Sequence, residues 1–497
     1  MGNESKGNDA GLTLDRRDFL KGIGLGTGSA AALAGCGRAP VRYAIPLLVP
    51  EEEQTPGVVA HYASTCTACP AACGQLVTVR EGRPVKLEGL AGHPISRGGL
   101  CAIGQADLRA LYEPTRPQGP TVGGSKASWA DLDKRVADGL AKAKAAGKQV
   151  AVLSRTIVSP TGRAVIEDFL KPYGGKLVEY DADATPASAA LEAWAQVAGR
   201  ALLPALHVQR ADLLVTLGGD PLATGYEPVS FTRQYADRKR AAATEGELRH
   251  VHIGATLSLT GAGADERIQA SAGEQRAIAA WLLGQIAAAS ADELGKQAAV
   301  ALAGAAKPAH LAPIEALAKE LLAKRGKSLL LSSSDDRGEQ LAIALANQLL
   351  GNVGKTLDTD QPSLVRRGLD GDLLALRAAL DKGEVGAIFV MGLDPASQLP
   401  DGAGWLKSLK ATALSVLLGD RPTEALASFT AVAAANHGLE SWGDAMVRPG
   451  LWTPQQPTVR PLFDTRQTWA SFLTWSGAKE TDFRKHLMAS WQANVYR

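Results

Sequence analysis

Four of the five cysteines in this 497-residue chain fall where they could hold metal. They are Cys66, Cys69, Cys73 and, 28 positions further on, Cys101, a C-x2-C-x3-C-x27-C spacing. Three thiolates within eight residues, on a loop containing Pro70, Ala71 and Ala72, converge on one centre, and the fourth closes it from a distant loop. Ligation by four cysteine thiolates is what a [4Fe–4S] cluster requires. Disulfides are the first rival, since exported proteins meet oxidant. The Cys66–Cys69 and Cys69–Cys73 spacings are cramped for bridging, however, and a chain this long does not need stapling. Structural zinc is the second rival, but it usually takes two C-x2-C pairs, and here the last cysteine stands alone. Thioredoxin-like redox chemistry lacks the βαβ context it needs. The spacing therefore predicts one [4Fe–4S] cluster on Cys66, Cys69, Cys73 and Cys101.

Local elements must deliver these ligands. Residues 76–80 and 84–89 read as strands around a turn at Glu81-Gly82-Arg83, which makes a hairpin between the third and fourth cysteines. A loop over residues 91–99 then brings in Cys101, and residues 105–112 read as a short helix stopped by Pro114. Further on, short apolar runs at residues 149–154, 213–219, 251–254, 328–332 and 387–392 each end in Gly or Ser. Helical stretches of ten or more residues separate them. Alternating β and α segments of this kind predict parallel sheets covered by helices, in two doubly wound units. Ligands of such sheets bind at the carboxyl ends of the strands, where Gly218-Gly219-Asp220 and Gly392-Leu393-Asp394 stand. Ordinary tight turns explain both loops equally well.

The fifth cysteine belongs to a targeting segment. Arg16-Arg17-Asp18-Phe19-Leu20-Lys21 followed by a mild apolar run to Gly35 matches a twin-arginine export signal. That route carries folded proteins, which suits a cluster inserted before export. The apolar run is too short to be a spanning helix. It ends in Leu33-Ala34-Gly35-Cys36, a lipobox-like sequence whose cysteine would carry the lipid, with more than one acyl chain needed for stable anchoring. The four prolines and the acidic triplet Glu51-Glu52-Glu53 that follow read as an extended tether. The expected location is the periplasmic face of a membrane, reached by the twin-arginine route and held by the lipid anchor alone. Lys and Arg number 53 against 51 Asp and Glu, with no basic block, which argues against nucleic acid as the main partner. With 45% hydrophobic residues the chain can build a full core. No Ser-His-Asp or paired-carboxylate arrangement stands out to support a hydrolase.

The run from Ser64 to Arg116, with its cysteine spacing, hairpin, His93-Pro94, Arg97-Gly98 and closing Leu-Cys-x-x-Gly-Gln, resembles the cluster domain of the molybdopterin oxidoreductases, the DMSO reductase superfamily. Residues 211–225, 350–358, 389–400 and 437–468 are similar to the molybdopterin-oxidoreductase-like half of the large iron–sulfur subunits of alternative complex III and related quinone-linked complexes. The resemblance implies an organisation in five parts: signal and lipobox over 1–36, tether over 37–60, cluster domain over 61–118, a first α/β unit over 119–304, and a second over 305–497 with a C-terminal return segment. It also implies that Gly218, Gly219, Asp220, Gly392 and Asp394 correspond to loops that contact two pterin nucleotides in active relatives. The function implied is that of an iron–sulfur subunit of a membrane-attached respiratory complex. Its partners would be a separate ferredoxin-like multi-cluster chain, since no cysteine follows Cys101, a multi-span quinone-binding subunit and a multihaem cytochrome.

The alternative is a catalytic molybdopterin enzyme binding a bis-guanine dinucleotide cofactor. Three departures from the family pattern count against bound molybdenum. Ile103 stands where active relatives carry Lys or Arg two residues past the fourth cysteine. The stretch 180–188 offers no cysteine to a metal, only Asp183 and Ser188. The C-terminal β-barrel of complete enzymes is expected to be absent, as the chain runs only about thirty residues past Asp464-Thr465-Arg466. His61, His93 and His437 are dispersed, and His93 is expected to shape the cluster loop. Glu440 to Asp444 with Trp442 reads as either a structural corner or a site.

Overall fold

The computed structural model describes residues 57–182 and 187–496. The export signal, Cys36, nearly all of the tether and Asp183 lie outside the described residues. The cluster domain opens with a three-stranded antiparallel sheet of Val59–Thr65, Gly74–Arg80 and Arg83–Gly89. The expected hairpin is present, and its two-residue turn puts Glu81 and Gly82 at φ of 51° and 73°. Two positive φ values match the right-handed twist of the flanking strands. A strand before the first cysteine was not expected; its alternation of exposed and half-buried residues gives little apolar signal. The helix after the fourth cysteine spans Ala102–Leu111, starting three residues earlier than the sequence suggests because Cys101 itself is its N-cap.

Two parallel sheets follow, and all five apolar runs lie in them. The larger has seven strands in the order Ser125–Lys126, Thr121–Val122, Ala431–Ala434, Leu414–Gly419, Val385–Met391, Gln149–Ser154 and Lys176–Glu179. Its last five strands are parallel, and the short hairpin at the other edge is antiparallel. The smaller has four parallel strands, Glu266–Gln269, Arg249–Gly254, Leu213–Leu217 and Ser328–Ser332. Every residue of Val385–Met391 is buried, as expected of a strand covered on both faces. The period of two sorts its side chains between two cores. Val150, Val152 and Phe389 pack on one side with Phe169 and Phe472, while Ala151, Leu153, Ile388 and Val390 pack on the other with Trp405.

The expected division at residues 304 and 305 is corrected by the strand pairing. Ser328–Ser332 pairs with Leu213–Leu217, and Gln149–Ser154 pairs with Val385–Met391. The chain lays down four strands of the larger sheet, the edge hairpin and two parallel strands, builds the whole smaller sheet, then returns to finish the first. Parallel neighbours need long crossovers, and the smaller unit is inserted in one of them. Pairing partners so distant in sequence leave no local signal, so a cut by length goes wrong.

The C-terminal segment ties the cluster domain to the larger sheet. The Arg116 and Glu440 side chains have no solvent exposure and are paired at 2.9 Å. Arg116 also donates to the carbonyls of Leu111 and Ala435, at 3.0 and 3.3 Å, and stands over the Phe463 ring. Glu440 accepts the backbone N–H groups of His437 and Leu462 at 2.7 and 2.8 Å. Hydrogen bonds from both terminal guanidinium nitrogens of Arg116 and to both Glu440 oxygens offset much of the cost of burying the pair. Asp444 is a second polar hub, accepting from Ser159, Thr161 and the Trp491 indole. Arg116→Met leaves Glu440 buried without its counter-charge and should cost about 3–5 kcal/mol. Denaturant unfolding will show this as a lower midpoint, and Arg116→Met with Glu440→Leu should recover most of the loss.

Candidate metal centre

The strand Val59–Thr65 ends one residue before Cys66, and Gly74–Arg80 begins one residue after Cys73. The first sheet pair therefore pins both ends of the cysteine loop. Inside it, the Cys66 N–H donates to the Cys73 carbonyl at 2.8 Å, and Ala72 adopts a positive φ of 44°. Backbone N–H groups point at sulfur: Ala68 at Cys66, Ala71 at Cys69, and Gly104 at Cys101 over 3.4 Å. Such bonds favour thiolates and set the potential of a cluster they hold.

The loop is locked to the larger sheet from outside. Arg155, just past Gln149–Ser154, donates to the carbonyls of Thr67 and Ala68 at 2.6 and 2.9 Å. Gly438 lets the loop approach, since a Cβ there would lie 1.9 Å from the Thr67 hydroxyl. His93 does shape the cluster region. Its Nδ1 accepts from Ser96 N–H at 3.0 Å, and the Ser96 hydroxyl accepts from Gly74 N–H at 3.2 Å, next to Cys73. Burial lowers the His93 pKa, so it acts as a neutral acceptor. His61 is exposed and takes no part.

All four cysteines are free, with Cys66 buried and the others half-buried. Burial pushes the Cys66 thiol up to about 12, with Asp107, Cys69 and Cys101 adding to the rise. Burial also raises Cys73, reinforced by the other three sulfurs and by Glu227. Cys69 is raised by burial too, though Arg366 and Arg155 oppose it. The sulfurs thus lie within reach of one another's charge, and the four would not ionise together without a cationic centre among them. Among the described residues no three His, Cys, Asp or Glu side chains are set to close on a single ion. Four thiolate donors with N–H groups aimed at their sulfurs form a donor set that fits a [4Fe–4S] cluster.

Beside the loop lies a cavity of about 540 Å³ at the carboxyl ends of the larger sheet's strands. Cys66 and Cys69 line it with Arg155, Arg421, Trp442 and Trp469. The two glycine loops part company here. Gly392, at φ 68°, and Asp394 line this cavity, but the Asp394 carboxylate is engaged by Ala396 N–H and the hydroxyls of Ser397 and Thr423. Gly218, Gly219 and Asp220 lie on the smaller sheet and are not in its lining. There Asp220 holds the N–H groups of Leu259 and Thr260, and a Cβ on Gly219 would collide with Ser333 at 2.1 Å. Ser188 begins the helix Ser188–Ala198, and its hydroxyl accepts the Asp370 N–H rather than facing the cavity. Ile103 is 69% exposed on the cluster helix.

Several site residues escaped the sequence. Arg155, Arg366, Asp107 and Arg421 come from four separate segments, and only folding brings them to the thiols. Arg116 closes the run that begins at Ser64, yet its partner lies 324 positions away.

Residues 60–113 match the family described as the molybdopterin oxidoreductase Fe4S4 domain. Over 500 aligned positions the chain is 24% identical to a protein of Nitratidesulfovibrio vulgaris named menaquinone reductase, molybdopterin-binding-like subunit, covering 92% of this chain and 70% of that one. It is 30% identical to a dopamine dehydroxylase of Eggerthella lenta over 28% of its own length, and spans only 14% of that protein. The acetylene hydratase of Pelobacter acetylenicus superposes with a TM-score of 0.69 at 12% identity, over 86% of this chain and 71% of that one, a likeness of fold. The expected resemblance in the cluster region is matched by the molybdopterin oxidoreductase Fe4S4 domain model over residues 60–113, and the chain shares the fold of the acetylene hydratase.

Proposed function

We propose that this chain is the iron–sulfur subunit of a membrane-attached, quinone-linked oxidoreductase complex. The observation that carries the reading is the convergence of four buried or half-buried thiols beside the larger sheet, in a chain similar along 92% of its length to a menaquinone reductase subunit. A [4Fe–4S] cluster, when bound, supplies a one-electron redox centre. The chain's own residues hold it, wrap it in N–H donors and fasten its loop to the sheet through Arg155. Among the described residues no helix is long and apolar enough to cross a membrane. Attachment then falls to the lipid expected on Cys36, and quinone chemistry to a separate multi-span subunit. A ferredoxin-like multi-cluster chain, with a multihaem cytochrome beside it, would complete the electron path on the periplasmic face.

The catalytic alternative would need room and ligands for two pterin dinucleotides. A cavity of about 540 Å³ matches one drug-sized ligand, within the range of about 300–1,000 Å³. In the loop expected to meet the second dinucleotide, Gly219 packs closely against Ser333, which a Cβ there would strike at 2.1 Å. Both loop aspartates are engaged within the protein. These observations favour a subunit that works without molybdenum.

Two measurements test the reading. Metal analysis of the anaerobically purified protein should find neither molybdenum nor tungsten, and acid release should give no pterin; stoichiometric molybdenum with released dinucleotide would favour the catalytic alternative. In cells, Cys36→Ala should move the protein from the membrane to the soluble periplasmic fraction in the absence of its partners, whereas Arg16→Lys with Arg17→Lys should keep it in the cytoplasm. An unchanged distribution for both variants would remove the export and anchoring proposals.

A further inference from the structure

Two charged side chains that the cluster's ligation does not use are paired beside the cysteines, and one of them, Arg421, lines the cavity. Asp107 lies one and a half turns along the helix Ala102–Leu111 that Cys101 caps. Its carboxylate is 5% exposed and is ion-paired to Arg421, which comes from the loop after Leu414–Gly419 in the larger sheet. His437 Nε2 lies 3.5 Å from the other carboxylate oxygen. Because His437 Nδ1 accepts the Leu439 N–H at 3.2 Å, Nε2 is the nitrogen that carries hydrogen toward Asp107. Burial alone would raise the Asp107 carboxyl, but His437 and Arg421 hold it below its ordinary value. The pair lies beside the ligands: the helix that carries Asp107 is capped by Cys101, and a Cβ on its Gly104 would stand 3.3 Å from the Cys66 sulfur. Cys66 and Arg421 also line the same cavity.

We propose that Arg421 and Asp107 form a compensated charge pair that sets the reduction potential of the cluster, with Arg421 as the cationic link between cluster and cavity. The inference rests on the [4Fe–4S] reading. One-electron reduction adds one negative charge to the cluster and its thiolates. Arg421 favours that charge and Asp107 opposes it, so the pair nearly cancels while both are present. Removing either partner exposes the other, and the two single variants must therefore move the potential in opposite directions. Arg155 and Arg366 also bear on a ligand, Cys69. Arg155, though, holds the cysteine loop through two carbonyls, so its loss would disturb geometry as well as charge. The Asp107 and Arg421 side chains make no hydrogen bond to the cysteine loop and reach the thiols through charge. His437 lies beside the Asp107 carboxylate at 3.5 Å.

The test is an anaerobic redox titration of the intact protein, followed by the electron paramagnetic resonance of the reduced cluster. Arg421→Gln should lower the midpoint and Asp107→Asn should raise it, while the double variant returns close to the wild type. Each single change should alter the reduction equilibrium constant by about threefold to tenfold, tenfold being 59 mV for one electron. Arg421 is 52% exposed on its side chain, so its variants should fold even if D107N does not. R421K should then keep the wild-type midpoint, R421Q lie below it and R421E lower still. A midpoint indifferent to the charge at 421, or single variants that shift it in the same direction, would overturn the inference. A wild-type protein with no cluster signal to titrate would instead overturn the reading beneath it.

Discussion

Four cysteines, one buried and three half-buried, are gathered beside the larger sheet, and the need for a positive centre among their sulfurs organises the rest of the molecule. Burial raises Cys66, Cys69 and Cys73, and in each case neighbouring sulfurs add to the rise. The surroundings answer with backbone N–H groups aimed at three sulfurs and guanidinium groups from Arg155, Arg366 and Arg421. These groups soften the cost of charge without removing it. An iron–sulfide cube bound by the four supplies what remains.

The larger sheet supports that centre. Its strand ends carry Arg155, which clamps the cysteine loop, and Arg421, which reaches the cluster helix. The return segment after Ala431–Ala434 closes the structure through Glu440 and Arg116, at the end of the cluster domain. Cluster domain and sheet are thereby joined by the buried Arg116–Glu440 pair and by the half-exposed Arg421 on buried Asp107. The polar groups of the two glycine loops are turned to similar structural ends, Asp220 to the turn at Leu259 and Asp394 to Thr423.

What could be read from the amino-acid order was what local chemistry encodes. The cysteine spacing, the Glu81-Gly82 turn and the runs of fully buried strand residues each leave a signature within ten residues or so. The strands Gln149–Ser154 and Ser328–Ser332 lie where their apolar patterns place them. The role of His93 was also legible, since a histidine before proline in a tight loop has few ways to satisfy its ring. The insertion of the smaller sheet was not legible, because pairing Gln149–Ser154 with Val385–Met391 spans more than two hundred residues. The same holds for the charged partners. Arg421 and Asp107 are 314 positions apart, and each alone looks like an ordinary surface charge. Cys36, the twin arginines and Asp183 lie outside the described residues, so those readings remain readings of sequence.

The most direct test of the account is the content of iron and acid-labile sulfide in protein purified without oxygen, taken together with its visible colour. About four irons and about four sulfides per chain, in a brown protein that loses both when Cys73 or Cys101 is replaced by Ser, is the result expected of a four-thiolate cluster. A colourless protein carrying one zinc, or one whose cysteines are paired as disulfides, would contradict it.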